Sequence, residues 1–136
     1  MSNKRAAVLM LVLSLVGIPI AMLNELNNLA ALSAISTSGL EALAPFFLRL
    51  HNHGLNIAAV LWGLWLLPMG YLVFKSGFLP KFLAILLWLS AIGYLVSSFM
   101  YFLLPAVDLA YIGILLLGEL GLPLWLAIMG INERKV

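Results

Sequence analysis

The stretch Leu61–Leu83, LWGLWLLPMGYLVFKSGFLPKFL, joins two apolar runs through one short basic corner, and few folds can hold it. Lys75 and Lys81 are its only charges. Between them stand Ser76, Gly77 and Pro80, residue types that stop a helix and reverse the chain. Lipid allows only helices and closed barrels, because every backbone polar group must be satisfied without water. Uncharged runs of about 20 residues are the length of a membrane-spanning helix. The stretch therefore reads as two antiparallel spans meeting at one membrane surface. Composition supports the same solvent, since 65% of the 136 residues are hydrophobic and 9% charged, against about 45–50% and about 25% in soluble chains.

The rest of the chain follows from that hairpin. The polar leader Met1–Arg5 precedes an uncharged run, Ala6–Leu23, too long for the core of a cleaved signal peptide. The residues predict an all-α, polytopic membrane protein forming one domain over residues 1–136. Its four transmembrane helices, over about 6–23, 54–74, 82–104 and 109–131, form an antiparallel bundle. Residues 24–53 read as an outer excursion with an interfacial helical segment, broken at Ser36–Gly39 and interrupted by Pro45. The alternative is that the first helix runs on to about Ile35. Pro105–Asp108 reads as a turn on the same outer side.

Orientation comes from basic residues. Lys4, Arg5, Lys75, Lys81, Arg134 and Lys135 fall on one side of such a bundle and Arg49 alone on the other. That bias puts both termini in the cytoplasm, in a bacterial cytoplasmic (inner) membrane. The net charge of +2 is spread over these topology signals and makes no nucleic-acid footprint. The expected partners are the lipid bilayer and a second copy or another membrane protein covering an open helix face. With no cysteine, thiolate metal sites, disulfides and cysteine nucleophiles are excluded. No Ser-His-Asp order, phosphate-cradling glycine loop or HExxH motif is present, so no catalytic residue, cofactor or metal is assigned.

Two polar groups stand out. Glu119 lies near the middle of the fourth span, where a charged side chain costs roughly 2.5–3.5 kcal/mol on insertion scales and is normally paired, protonated or functional. Pro19, Pro68 and Pro123 would free the carbonyls of Leu15, Leu64 and Glu119, all roughly 13–18 Å from the cytoplasmic ends. Interrupted helices at that depth bind ions and small solutes in transporters. Ser14, Trp62, Trp65, Ser90, Tyr94 and Ser97 share this layer, and Tyr94 is the first candidate partner of Glu119. Gly63, Gly93, Gly118 and Gly121 would let the backbones approach closely. An outer cluster gathers Asn24, Glu25, Asn28, His51 and His53. On a helix, residues two apart point about 200° away from each other, so His51 and His53 make a poor metal pair. The residues leave two functions open: binding of a proton, cation or small solute at Glu119, or a structural or interaction subunit in which Glu119 only bridges helices.

In GIPIAMLNELNNLAAL, LHNHG, GLWLLPMGYLVFKSGFLP and GELGLPLWL, taken in that order, the chain resembles the bacterial membrane family catalogued as domain of unknown function 4386. The resemblance covers about Val16 to Ile131. Its matching positions are Asn24, Glu25, His51, Gly54, Gly63, Pro68, Gly70, Ser76, Pro80, Gly118, Glu119, Trp125 and Gly130. It implies a multi-pass membrane protein in which the Glu119 motif belongs to a family pattern, and it brings no substrate.

Overall fold

A computed structural model describes residues 3–104, 115 and 117–130. Among these, the helices are α1 Asn3–Ile35, α2 Ala44–Ser76, α3 Lys81–Leu103 and α4 Gly121–Met129. Short 3₁₀ turns at Glu41–Leu43 and Leu117–Leu120 lead into α2 and α4. α1, α2 with its 3₁₀ lead-in, and α3 are each long and apolar enough to cross a membrane, and the segment Leu117–Met129 is shorter. The fourth expected span, 109–131, falls partly outside the described residues, and the turn at Pro105–Asp108 lies wholly outside them.

The corner forms as its residues require. Gly77 closes α2 with φ 74°, a left-handed conformation that glycine adopts without a Cβ penalty. The Ser76 hydroxyl donates to Val73 O at 2.8 Å and accepts the Leu79 N–H at 3.3 Å. Extended Pro80 then precedes α3, and its carbonyl accepts the Leu83 N–H. Lys81 Nζ lies 5.2 Å from the centre of the Phe74 ring, a cation–π contact across the corner.

The region expected to leave the helices between residues 24 and 53 does not. α1 continues unbroken to Ile35, the alternative given above, rather than ending at Leu23; the break at Ser36–Gly39 forms where expected, and α2 begins at Ala44 rather than Gly54. Only residues 36–43 lie outside the two helices. There are two physical reasons. Asn24 and Asn28 reach His51 of α2, and Asn27 and Glu25 are bonded within α1, so the helix has no need to break for these polar groups. Pro45 stands in the first turn of α2, where a missing N–H costs nothing. Buried Ala31 and Ala34 face Ala44 and Phe47, small enough to bring the helices together at that end.

Side-chain sorting is the reverse of a water-soluble bundle. Leu15, Met22 and Ile92 are 63%, 70% and 52% exposed, with most of the large apolar side chains of α1. The interior is built from Leu66, Val73, Leu83, Ala84, Leu87, Ala91 and Leu122. Helices approach where a side chain is missing: a Cβ on Gly63 would come within 3.0 Å of the Ala91 carbonyl, and one on Gly70 within 2.5 Å of the Trp88 ring. The Trp88 indole N–H donates to Leu67 O at 3.2 Å, tying α3 to the backbone of α2 just after Leu66.

Candidate functional site

Tyr94 and Glu119 meet inside the bundle, with Tyr94 Oη donating to Glu119 Oε1 at 2.6 Å. Local structure brings them together in three steps. Ser90, fully buried one turn before Tyr94 on α3, donates its hydroxyl to Leu115 O at 2.7 Å and fastens the incoming chain. Gly118 then rests on α3 so closely that a Cβ would lie 2.7 Å from both Leu86 O and Ser90 Oγ. The 3₁₀ turn Leu117–Leu120 finally carries the half-buried Glu119 over Tyr94. Tyr94 lies about 20 Å along α3 from Lys81 at 1.5 Å per residue, beyond the middle of a ~30 Å hydrocarbon core.

Aromatic side chains line the space beside the carboxyl. Trp62 packs edge-to-face on Tyr94, with ring centroids 5.9 Å apart and planes at 71°. Trp62, Trp65, Tyr94 and Glu119 line a cavity of about 240 Å³. A second cavity of about 350 Å³ shares Trp65 and Glu119 and runs on between α2, α3 and α4 along Leu66, Met69, Leu87 and Leu126. A small third one, about 70 Å³, separates the same two tryptophans from Leu13, Ser14 and Gly17 of α1. Among the described residues, no basic side chain is paired with Glu119, and no group of three His, Asp or Glu gathers as a metal site would. Lys4, Arg5, Arg49, Lys75 and Lys81 sit toward the helix ends.

Of the residues expected in this layer, Tyr94, Trp62 and Trp65 share a cavity with Glu119. Ser14 does not, since its hydroxyl donates back to Met10 O at 2.9 Å. Ser97 is half-buried on α3 and makes no hydrogen bond to the pair. The expected layer of proline-freed carbonyls needs correction at Glu119. Pro123 lies in the first turn of α4, where N–H groups have no helical partner in any case, so it frees no helical carbonyl at Glu119. Pro19 and Pro68 do stand inside α1 and α2, where the missing N–H leaves the carbonyls of Leu15 and Leu64 without their helical donor, as expected.

The other polar cluster lies between α1 and α2, at the end of the bundle away from the Lys75–Lys81 corner. Asn24, only 8% exposed, donates from Nδ2 to His51 O at 2.8 Å and lies 3.1 Å from His51 Nδ1. Asn27 Nδ2 donates to Asn24 Oδ1 at 2.9 Å, and Asn28 Nδ2 donates to Glu25 Oε2 at 2.8 Å and lies 3.4 Å from His51 Nε2. His51 joins these groups, but His53 does not: it turns to α3, where its Nδ1 is 3.0 Å from Tyr101 Oη. The two histidines thus serve different helix pairs, as their spacing on one helix requires. Reading the sequence missed Asn27 and Gly54 as members. Their signals were present, because Asn24, Asn27 and Asn28 share one helix face, as do His51 and Gly54.

Replacing Tyr94 with Phe removes one hydrogen bond and keeps the ring. The expected loss is about 0.6 kcal/mol and at most about 1.7 kcal/mol, the range of single side-chain hydrogen bonds between membrane helices. Reversible unfolding in mixed micelles measures it.

Apolar helices with most large side chains turned outward, and a hydrogen-bonded carboxyl held within, define an α-helical membrane protein. The chain belongs to the family described as Domain of unknown function (DUF4386), whose sequence profile matches residues 1–130. A relative from Archaeoglobus fulgidus, described as an uncharacterized protein, is 30% identical over 82 residues. The match covers 60% of this chain and 49% of the relative, so the chain aligns with about half of that protein's length. No solved structure matches the chain.

Proposed function

We propose that this chain is a four-span protein of the cytoplasmic membrane, with both termini inside, that binds a small solute or cation at Glu119. The observation that carries the reading is the Tyr94–Glu119 hydrogen bond beside two cavities, with no basic side chain among the described residues to balance the carboxyl. A carboxylate inside a bundle needs a counter-charge, which a bound cation would supply. Tyr94 donates to one carboxyl oxygen, and Glu119 lines both cavities. The Lys75–Lys81 corner and the leader supply the inward positive charge that supports the orientation.

A structural reading rests on the same hydrogen bond, which ties α3 to the segment leading into α4. Infrared difference spectroscopy in lipid, wild type against Glu119→Gln, separates the two. Under the binding reading, a cation or solute shifts a carboxyl band that Glu119→Gln removes, while the variant stays folded because glutamine still accepts from Tyr94. A band indifferent to every added cation and solute, with Glu119→Gln affecting only stability or assembly, would establish the structural reading instead.

A further inference from the structure

Resting on that binding site, the chemistry of its walls narrows the ligand. Trp62, Trp65 and Tyr94 face the smaller cavity together with a single carboxylate. A dehydrated inorganic cation requires several oxygen ligands, six to eight for calcium and six for magnesium. Among the described residues, this cavity's side chains supply one carboxyl and one phenol. Aromatic faces, by contrast, attract an organic ammonium through their quadrupoles, and Trp does so best. An anion would meet the Glu119 carboxyl, beside which no basic side chain stands among the described residues. The neighbouring cavity, sharing Trp65 and Glu119, is walled by Leu66, Met69, Leu87 and Leu126. The polar end and the apolar end of the space therefore meet at Glu119. Their volumes of about 350 and 240 Å³ are of the order found in small-molecule sites, about 300–1,000 Å³.

We infer that the site takes an amphiphilic organic cation, its ammonium head between Trp62, Trp65, Tyr94 and the Glu119 carboxylate and its alkyl tail in the cavity along Leu66 and Leu126. The head is neutralised by Glu119 and held by the aromatic faces. The tail replaces lipid contact with contact to α2, α3 and α4. Such a ligand meets both halves of the space, whereas a metal ion uses neither the aromatic walls nor the apolar extension.

Calorimetric titration of the full chain in nanodiscs, with empty nanodiscs subtracted, tests this with four probes: tetramethylammonium, butyltrimethylammonium, sodium and the neutral isostere tert-butanol. The expected result is saturable binding of both ammonium ions, at least tenfold tighter for the butyl compound. Glu119→Gln abolishes it, and Trp65→Leu weakens it severalfold while the thermal unfolding midpoint of each variant stays near wild type. Replacing Leu126 with Asn should reduce the advantage of the butyl compound and spare tetramethylammonium. Equal affinity for the two ammonium ions would overturn the placement of the tail. Binding of sodium or tert-butanol that depends on Glu119, without ammonium binding, would overturn the ligand class and leave the site standing. Failure of all four probes to give heat that depends on Glu119, with an infrared carboxyl band equally silent, would remove both the ligand class and the binding site.

Discussion

Gly54→Ala is expected to lower the stability of the protein by about 2–4 kcal/mol, a large effect for one methyl group. The new Cβ would run into the Asn24 side chain, whose atoms are the three nearest to it. Overpacking of this kind costs typically about 1–3 kcal/mol. The displaced amide would also lose its bonds to His51 and its role as acceptor for Asn27, each about 0.6 and at most about 1.7 kcal/mol. Because the crowding is confined to one side chain, Asn24→Ala in the same chain should restore part of the loss. A double-mutant cycle by reversible unfolding in mixed micelles should show the double variant more stable than the two single losses add up to, by at least 0.5 kcal/mol, the low end of coupling between contacting residues. Strict additivity would mean that Asn24 and Gly54 do not pack as described. The effect should also reach the other polar site. α1 lies against the tryptophan wall through Gly17, where a Cβ would come within 3.3 Å of Leu61 and 4.0 Å of Trp62. Loosening α1 at Asn24 should thus weaken that wall.

The same residues show what can be read from a sequence of this kind. Helix placement around the corner was legible because Lys75, Ser76, Gly77, Pro80 and Lys81 each act locally, on the chain that contains them. Tyr94 was legible as the partner of Glu119 because depth along a straight helix converts directly into residue count, and aromatic hydroxyls at that depth are few. The far end of α1 was legible only as an alternative, a helix running on to about Ile35. Asn24, Glu25, Asn27 and Asn28 look like a chain leaving the membrane, and only the position of α2 shows that Asn24 is buried against His51. Pro45 looks like an interruption until the start of α2 is known. Pro123 misled in the same way, since a proline frees a carbonyl only inside a helix and not in its first turn. In each case the missing information was where a helix begins or which helix stands opposite, and neither is a local property. Ser98 shows the limit from the other side: it is buried on α3 with no hydrogen-bond partner among the described residues, and nothing in its sequence neighbourhood marks it.

Gly118→Val should detach the Glu119 turn from α3 and remove the Tyr94–Glu119 contact without unfolding α1–α3. A side chain at 118 would press on Leu86 O and Ser90 Oγ, each 2.7 Å from the Cβ alone. The first of these is backbone inside a helix and cannot move aside, so the turn must lift. Lifting breaks the Ser90–Leu115 and Tyr94–Glu119 hydrogen bonds, and with the overpacking the loss comes to about 2–5 kcal/mol. Gly121 is the natural control, three residues on along the same segment. A Cβ there would be 3.0 Å from Leu86 Cδ1 and 3.6 Å from Leu83 Cδ2, both ends of flexible side chains that can yield. Gly121→Ala should therefore cost less than about 1 kcal/mol, and Gly118→Val several times more. The chain has no cysteine, so spin labels placed by Ile92→Cys and Leu126→Cys report the α3–α4 distance without background. A longer, broader distribution for Gly118→Val and an unchanged one for Gly121→Ala is the expected pattern. Equal, unchanged distributions in both would mean that close approach of Gly118 to α3 does not position Glu119. The site would then be held by the Ser90–Leu115 bond and the packing of Leu122 alone.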